Sequence, residues 1–266
     1  MTQSVLVTGA STGLGLETAL YLAGHGFKVY AATLHEKDRD AIEGPARARR
    51  VSLRVLQLDI TDQKSIAAAV RTMVEESGGI YGLVNNAGTR LRGCFEDLTD
   101  TEIRHLFATN VFGTMAVTRA VLPHMRAARR GRIVLITSIA GKIGSFGVSA
   151  YCSTKFAQEG FGESLAQEVQ PFGIYVSMVE PAIIKTEAWS SNRVTAAGAD
   201  NPQSPYYRWF MKSELLADRM VASSPTKPGD VPPAVLAALT ARRPRLRYMV
   251  GSRARLVFAL RRYLPG

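Results

Sequence analysis

The sequence predicts an α/β protein with a doubly wound, mainly parallel seven-stranded sheet flanked by helices. Three observations carry that prediction. Seven short apolar runs alternate with helical patterns along the chain, and no internal repeat is present. A glycine-rich turn, Thr8-Gly9-Ala10-Ser11-Thr12-Gly13-Leu14-Gly15, joins the first strand to the first helix. The 266 residues, 46% hydrophobic and 21% charged, suffice for one large core without disorder.

Composition also bounds the setting. The first strand pattern begins within four residues, leaving no room for a signal peptide. No apolar run reaches the ~18–20 residues of a membrane span. Cys94 and Cys152 stand in unrelated contexts and form no metal-like or redox pair. A cytoplasmic protein is expected. The net charge of +11 is concentrated at one end: Arg242, Arg243, Arg245, Arg247, Arg253, Arg255, Arg261 and Arg262 follow Asp230, and no acidic residue does. Basic residues confined to one terminus, with no recognition motif, argue against a nucleic-acid partner.

Ser4 to Val7 reads as a buried strand, and Leu16, Ala19, Leu20, Leu22 and Ala23 as the helix after it, stopping near Gly24 and Gly26. Between them the glycines let backbone amides approach a pyrophosphate at a helix N-terminus. Phe27 to Thr33 is the second strand. No acid stands at its end to bond a ribose 2′-hydroxyl, while Lys37 and Arg39 lie just beyond. They either attract a 2′-phosphate, which favours NADP with NAD possible, or form a solvated helix face.

Leu53 to Leu58 is the third strand; Asp59 at its end either bonds an adenine amino group or serves as a second cap beside Asp62. A helix over Gln63–Ser77 precedes the fourth strand, Ile80 to Val84, which runs into Asn85-Asn86-Ala87-Gly88. These small and amide residues let backbone close over a cofactor. Two helical patterns follow, Thr101–Asn110 and Phe112–Ala128, with Asn110 interrupting the apolar stretch. Its side chain either bonds back to a carbonyl or binds a water that relays protons to Lys155.

Arg132 to Thr137 makes the fifth strand, with Ser138 at its carboxyl end, and Ala150–Gln170 a long helix. Tyr151 and Lys155 are four apart on that helix and share a face, Cβ atoms roughly 5–6 Å apart. An ammonium so close favours a phenolate, making Tyr151 a proton donor or acceptor, and Ser138 can hydrogen-bond the oxygen it serves. Taken alone, Tyr-x-x-x-Lys is an ordinary amphipathic surface; the other motifs decide.

Ile174 to Val179 is the sixth strand. Glu187–Asp230 then breaks the pattern with Ser, Pro, Asn and Gly while carrying Trp189, Tyr206, Tyr207, Trp209, Phe210 and Met211. It reads as a mobile lid over an apolar pocket, too rich in Ser, Pro and Gly for a rigid helix pair. A helix near Val231–Thr240 and a strand near Tyr248 follow. The tail, 242–266, is basic and amphipathic; it is expected to pack on its own subunit or a neighbour, membrane-surface binding being the second reading.

With Thr8–Gly15, Asn85–Gly88, Asn110, Ser138, Tyr151 and Lys155 each at a strand end or helix start, the chain resembles the short-chain dehydrogenase/reductase family over essentially its whole length. Gly26-Phe-Lys-Val-Tyr-Ala-Ala-Thr-Leu and Ala238-Leu-Thr-Ala-Arg-Arg-Pro-Arg-Leu-Arg-Tyr look like its retinol and hydroxysteroid dehydrogenase branch. The resemblance implies a Rossmann-type fold over 1–266 as one catalytic domain, and hydride transfer between nicotinamide and an alcohol or ketone carbon of a bulky, lipophilic substrate. It makes Tyr151 the acid/base and Ser138 the carbonyl-oxygen binder. Lys155 becomes the nicotinamide-ribose and pKa-lowering residue, and Asn110 the anchor of a relay water. It lays the dinucleotide along Gly9, Ser11, Thr12, Gly13, Leu14 and Gly15, then Thr33, Leu34 and Lys37, then Asp59 and Ile60. Asn86, Ala87 and Gly88 follow, with Tyr151 and Lys155, and finally Pro181 and Thr186. Ala182 departs from the glycine usual after that proline. A homodimer or homotetramer is implied. Two other classes are weighed: a dinucleotide sensor without chemistry, which has no need of an intact acid/base set, and a membrane-surface lipid-alcohol dehydrogenase anchored by the tail.

Overall fold

A computed structural model of the protein describes residues 2–185 and 193–251. Among the described residues seven strands form one sheet: β1 (Ser4–Val7), β2 (Lys28–Thr33), β3 (Arg54–Gln57), β4 (Gly82–Asn85), β5 (Gly131–Ile136), β6 (Ile174–Pro181) and β7 (Arg247–Val250). Their order is β3-β2-β1-β4-β5-β6-β7, and every pairing is parallel. The mainly parallel sheet expected from the sequence is wholly parallel among the described residues.

Period-two alternation divides the strands between two cores. Leu6, Tyr30, Leu83, Ile133 and Leu135 pack with α3 (Gln63–Ser77), α5 (Thr114–Ala127) and α6 (Ser149–Val169). Val5, Val7, Val29, Ala31, Val84 and Val134 pack on the opposite face with α1 (Gly13–Gly24), α2 (Arg39–Ala48) and α8 (Pro232–Thr240). Burial on both faces explains why these strands read as continuous apolar runs. The boundaries of α3 coincide with the expected ones, because Asp62 caps the Lys64 amide at 2.9 Å and Gly78 closes the far end at φ 71°.

Two local expectations are corrected. The patterns expected to give two helices run together: α4 (Asp100–Phe107) passes into α5 through a π-helical turn, Ala108–Gly113. There Gly113 lies so close to Ile60 that an added Cβ would fall 2.8 Å from it. Second, the segment expected to be an irregular lid contains α7 (Tyr207–Ala222), sixteen residues long. The helix breakers cluster at its flanks, in Ser204-Pro205 and Ser223-Ser224-Pro225, so composition averaged over the whole segment hides it. Phe210 anchors α7 to the body, and Glu214 pairs with Arg92 and Arg193. Thr186, Trp189 and the tail beyond residue 251 lie outside the described residues.

A charged cluster sits where β6, β7 and α6 meet. Lys142 Nζ is 2.7 Å from Glu159, and Arg247 Nε is 3.2 Å from Glu159 and 3.4 Å from Glu180. Both carboxyls are buried, and neither Oε1 finds a hydrogen-bond donor unless the two share a proton. Burial, reinforced by the Glu159 charge, pushes Glu180 up to about 7 against the pull of Lys142 and Arg247. The folded chain therefore keeps a proton that the unfolded chain releases above its ordinary value of 4.5. The associated stability is complete below that value and is lost as pH rises through about 7. Glu180→Gln mimics the protonated form, so the variant should flatten this decline, amounting to about 3 kcal/mol. Thermal melts of both proteins across the window check it; parallel pH profiles would contradict the shared proton.

Candidate active site

The strand order reverses between β1 and β4, and the carboxyl ends of the parallel strands open there onto a cavity of about 640 Å³. On one side lies the turn from β1 into α1. Asn86 closes over it, its Nδ2 donating to the carbonyls of Thr8 and Gly9 at 2.9 Å each. The Thr8 hydroxyl accepts from the amides of Asn86 and Ala87 at 3.0 Å. A Cβ on Gly15 would fall 2.1 Å from the Gly9 carbonyl oxygen, so only glycine lets α1 start so close to the turn. Gly9 itself holds φ +62° against Ala87. The Thr12 side chain makes no cap bond, and Thr12, Gly13, Leu14 and Gly15 line the cavity where α1 begins. Asn86→Ala removes two donated bonds from a packed turn. It should cost about 1–3 kcal/mol of stability and weaken dinucleotide binding; denaturant melts and cofactor titration read both.

On the other side Ser138 stands two residues past β5, capping the short turn Ile139–Gly141, and Tyr151 and Lys155 project from the first turns of α6. Lys155 Nζ lies 5.9 Å from the Tyr151 ring centroid, and donates to the Ile136 carbonyl at 3.1 Å and to Gln158 Oε1 at 2.8 Å. Burial by itself would raise the Tyr151 phenol. The charges of Lys155 and Arg90 and the Ser138 hydroxyl outweigh it, and the net displacement is downward. Burial also pulls Lys155 down, with Tyr151 opposing.

The expected site residues separate into three groups. Gly9, Ser11, Thr12, Gly13, Leu14, Gly15, Leu34, Asp59, Ile60, Asn86, Ala87, Gly88, Ser138, Tyr151, Lys155 and Pro181 all line the one cavity. Thr33, Lys37 and Asn110 do not, and Thr186 lies outside the described residues. Thr33 is sealed inside, its hydroxyl 3.4 Å from Asp38 Oδ2. The chain folds back after Leu34 through a short helical turn at Glu36–Asp38, so a carboxylate does stand at the end of β2. Lys37 points to solvent, and Arg39 is held by Glu36 at 2.6 Å and Glu43 at 3.4 Å. One Asp59 oxygen accepts from the Thr61 amide and hydroxyl at 2.8 and 2.7 Å, leaving the helix cap to Asp62.

Asn110 is wholly buried. Its amide clamps residue 89, accepting from the Thr89 amide at 2.8 Å and donating to the Thr89 carbonyl at 2.9 Å. Its backbone carbonyl accepts from Gln158 Nε2 at 2.6 Å, so the Gln158 amide joins Asn110 directly to Lys155. Sequence reasoning missed Gln158; its spacing of three from Lys155 on one helix was the available signal. Arg90, also missed, lines the cavity with its guanidinium 5.9 Å from the Tyr151 ring centroid.

The arrangement offers an anion cradle at a helix start and, across the same cavity, a tyrosine with a depressed pKa beside a hydroxyl. Comparison with known proteins agrees. Residues 3–196 match the family described as short chain dehydrogenase. Retinol dehydrogenase 5 of Mus musculus is 35% identical over 274 residues, covering 98% of this chain and 84% of the relative. A short-chain dehydrogenase from Streptomyces avermitilis superposes with a TM-score of 0.84 at 32% identity, covering 98% and 94% of the two chains. An actinorhodin polyketide ketoreductase with NADPH gives 0.77 at 29% identity, covering 90% and 91%.

Proposed function

This chain belongs to the short-chain dehydrogenase family, an NAD(P)-dependent oxidoreductase, and on that premise we propose that it interconverts a secondary alcohol and a ketone on a bulky apolar substrate. The single observation that carries the reading is the cavity that holds the glycine cradle at one end and Ser138, Tyr151 and Lys155 at the other. The cradle fits a dinucleotide: glycine at 15 lets α1 start against the Gly9 carbonyl, and Gly9, Gly13, Leu14 and Gly15 line the cavity at that helix start, where backbone amides can meet a pyrophosphate. When bound, the nicotinamide supplies the hydride acceptor or donor.

The protein's own residues do the rest. Ser138 bonds the substrate oxygen and orients it to Tyr151. Tyr151 gives that oxygen a proton in reduction and takes one in oxidation. Lys155, fixed by Ile136 and Gln158, keeps its remaining donor for the ribose side and its charge for the phenol. Asn110 holds Thr89 on one side and, through Gln158, Lys155 on the other. We assign Asn110 to positioning these two residues, beside the relay water that the resemblance expects it to anchor.

The substrate class rests on the apolar groups that line the same cavity, Ile136, Ala182, Ile184 and Val194, and on the retinol and polyketide relatives. Sequence favours NADP through Lys37 and Arg39. The geometry weighs toward NAD, because Asp38 stands at Thr33 and opposes a second phosphate, while Arg39 is engaged by Glu36 and Glu43. We further propose a homo-oligomer and a lid formed by the segment around α7. Among the described residues no helix is long and apolar enough to cross a membrane. The test is direct: dissociation constants for both reduced cofactors, then nicotinamide absorbance with a panel of lipophilic ketones and alcohols. Binding of both cofactors with no turnover across the panel would favour a sensor instead.

A further inference from the structure

We propose that Arg90 is a positioning residue for the acid/base step, a second cation that together with Lys155 favours the anionic form of the Tyr151 oxygen whenever the proton leaves it. The inference rests on the assignment of Tyr151 given above. The two cations reach the phenol from different elements: Lys155 from the next turn of α6, and Arg90 from the loop after β4. Each lies 5.9 Å from the ring centroid.

The loop is built to deliver that side chain. Just before Arg90, Thr89 is clamped through both its amide and its carbonyl by the buried Asn110 amide. A Cβ on the preceding Gly88 would meet Asn110 Oδ1 at 3.1 Å. Just after it, Leu91 is buried in the apolar cluster that contains Tyr151 and Phe210. Arg92 then pairs backbone to backbone with residues 194 and 196, at 3.1 and 2.7 Å. Residues on both sides of Arg90 are thus fixed, and Arg90 itself lines the cavity.

The groups facing Tyr151 explain why a second cation matters. On its own helix are Lys155 and Cys152; Ser138 comes from the turn after β5, and Arg90 from the loop after β4. From α7 comes the apolar Phe210, while the Glu214 carboxylate of that helix is engaged by Arg92 and Arg193. His105 of α4 lines the same cavity, and Glu159 acts on Lys155. Burial depresses Lys155, Tyr151 opposing it and the nearby Arg90 charge adding to it, so the lysine charge weakens as pH rises. A guanidinium stays protonated throughout the working range. Arg90 therefore supplies the part of the field that does not titrate.

The test compares wild type, Arg90→Gln and Arg90→Lys, each saturated with cofactor, by the pH dependence of kcat/KM for alcohol oxidation. Arg90→Gln should move the acid limb upward by about one pH unit. That is about a tenfold loss below the limb, with the alkaline plateau and cofactor affinity retained. Arg90→Lys should bring the limb back toward wild type. A second readout needs no turnover: phenolate absorbance titrated as a difference against the matching Tyr151→Phe protein should show the same displacement. Should Arg90→Gln fold poorly, Arg90→Lys and the difference titration still decide. A limb in Arg90→Gln coincident with wild type, or one in Arg90→Lys displaced as far as in Arg90→Gln, overturns the proposal. Turnover by Tyr151→Phe alone would instead overturn the acid/base assignment on which it rests.

Discussion

Tyr151→Phe is expected to lose about 10²–10⁴-fold in turnover while binding cofactor almost as wild type does. The ring is buried in the cluster with Leu91, Ala150 and Phe210, and phenylalanine keeps all of that packing. What goes is the one hydroxyl that Lys155, Arg90 and Ser138 together hold at a lowered pKa. Such a loss falls on the transition state and leaves ground-state binding alone. Single-turnover kinetics beside a cofactor titration separate the two. Near wild-type turnover would mean that another group carries the proton.

Lys155→Met should damage more. Its ammonium donates to Ile136 and Gln158 inside the protein, so an apolar replacement strands two buried acceptors, at about 1–3 kcal/mol each. The Tyr151 phenol loses its principal stabilising charge. We expect turnover to fall by at least about 10²-fold, with weaker cofactor binding and a lower Tm. A variant that lost turnover but kept full cofactor affinity would remove the ribose role from this lysine and leave only its effect on the phenol.

The contrast between these residues and the missed ones has a physical basis. Strands buried on both faces announce themselves as unbroken apolar runs, and Tyr151 and Lys155 share a helix face whatever surrounds them. Ser138 and Asn86 were legible because strand ends in a parallel sheet converge. Arg90 was not, since nothing in Thr89-Arg90-Leu91 shows that Asn110 pins the loop against α6. Asp38 was missed for a related reason: the short turn at Glu36–Asp38 folds the chain back onto Thr33, whereas the sequence reads as running away from it. In α7 the local helix formers were outweighed by the breakers on either side. The expected lid position of Trp189 and the nicotinamide contact of Thr186 fall outside the described residues.

The clamp between Asn86 and the Thr8–Gly9 carbonyls joins positions 78 and 77 residues apart. It forms only after β4 has paired with β1, across the intervening αβαβα stretch. Contacts of such long range come late in folding, because loop closure must precede the reward. An amino-terminal piece ending before β4 would contain every glycine of the cradle and still lack its lock. During refolding, helical signal should therefore return before the ability to bind dinucleotide. A nascent chain on the ribosome would gain that ability only after the fourth strand has emerged.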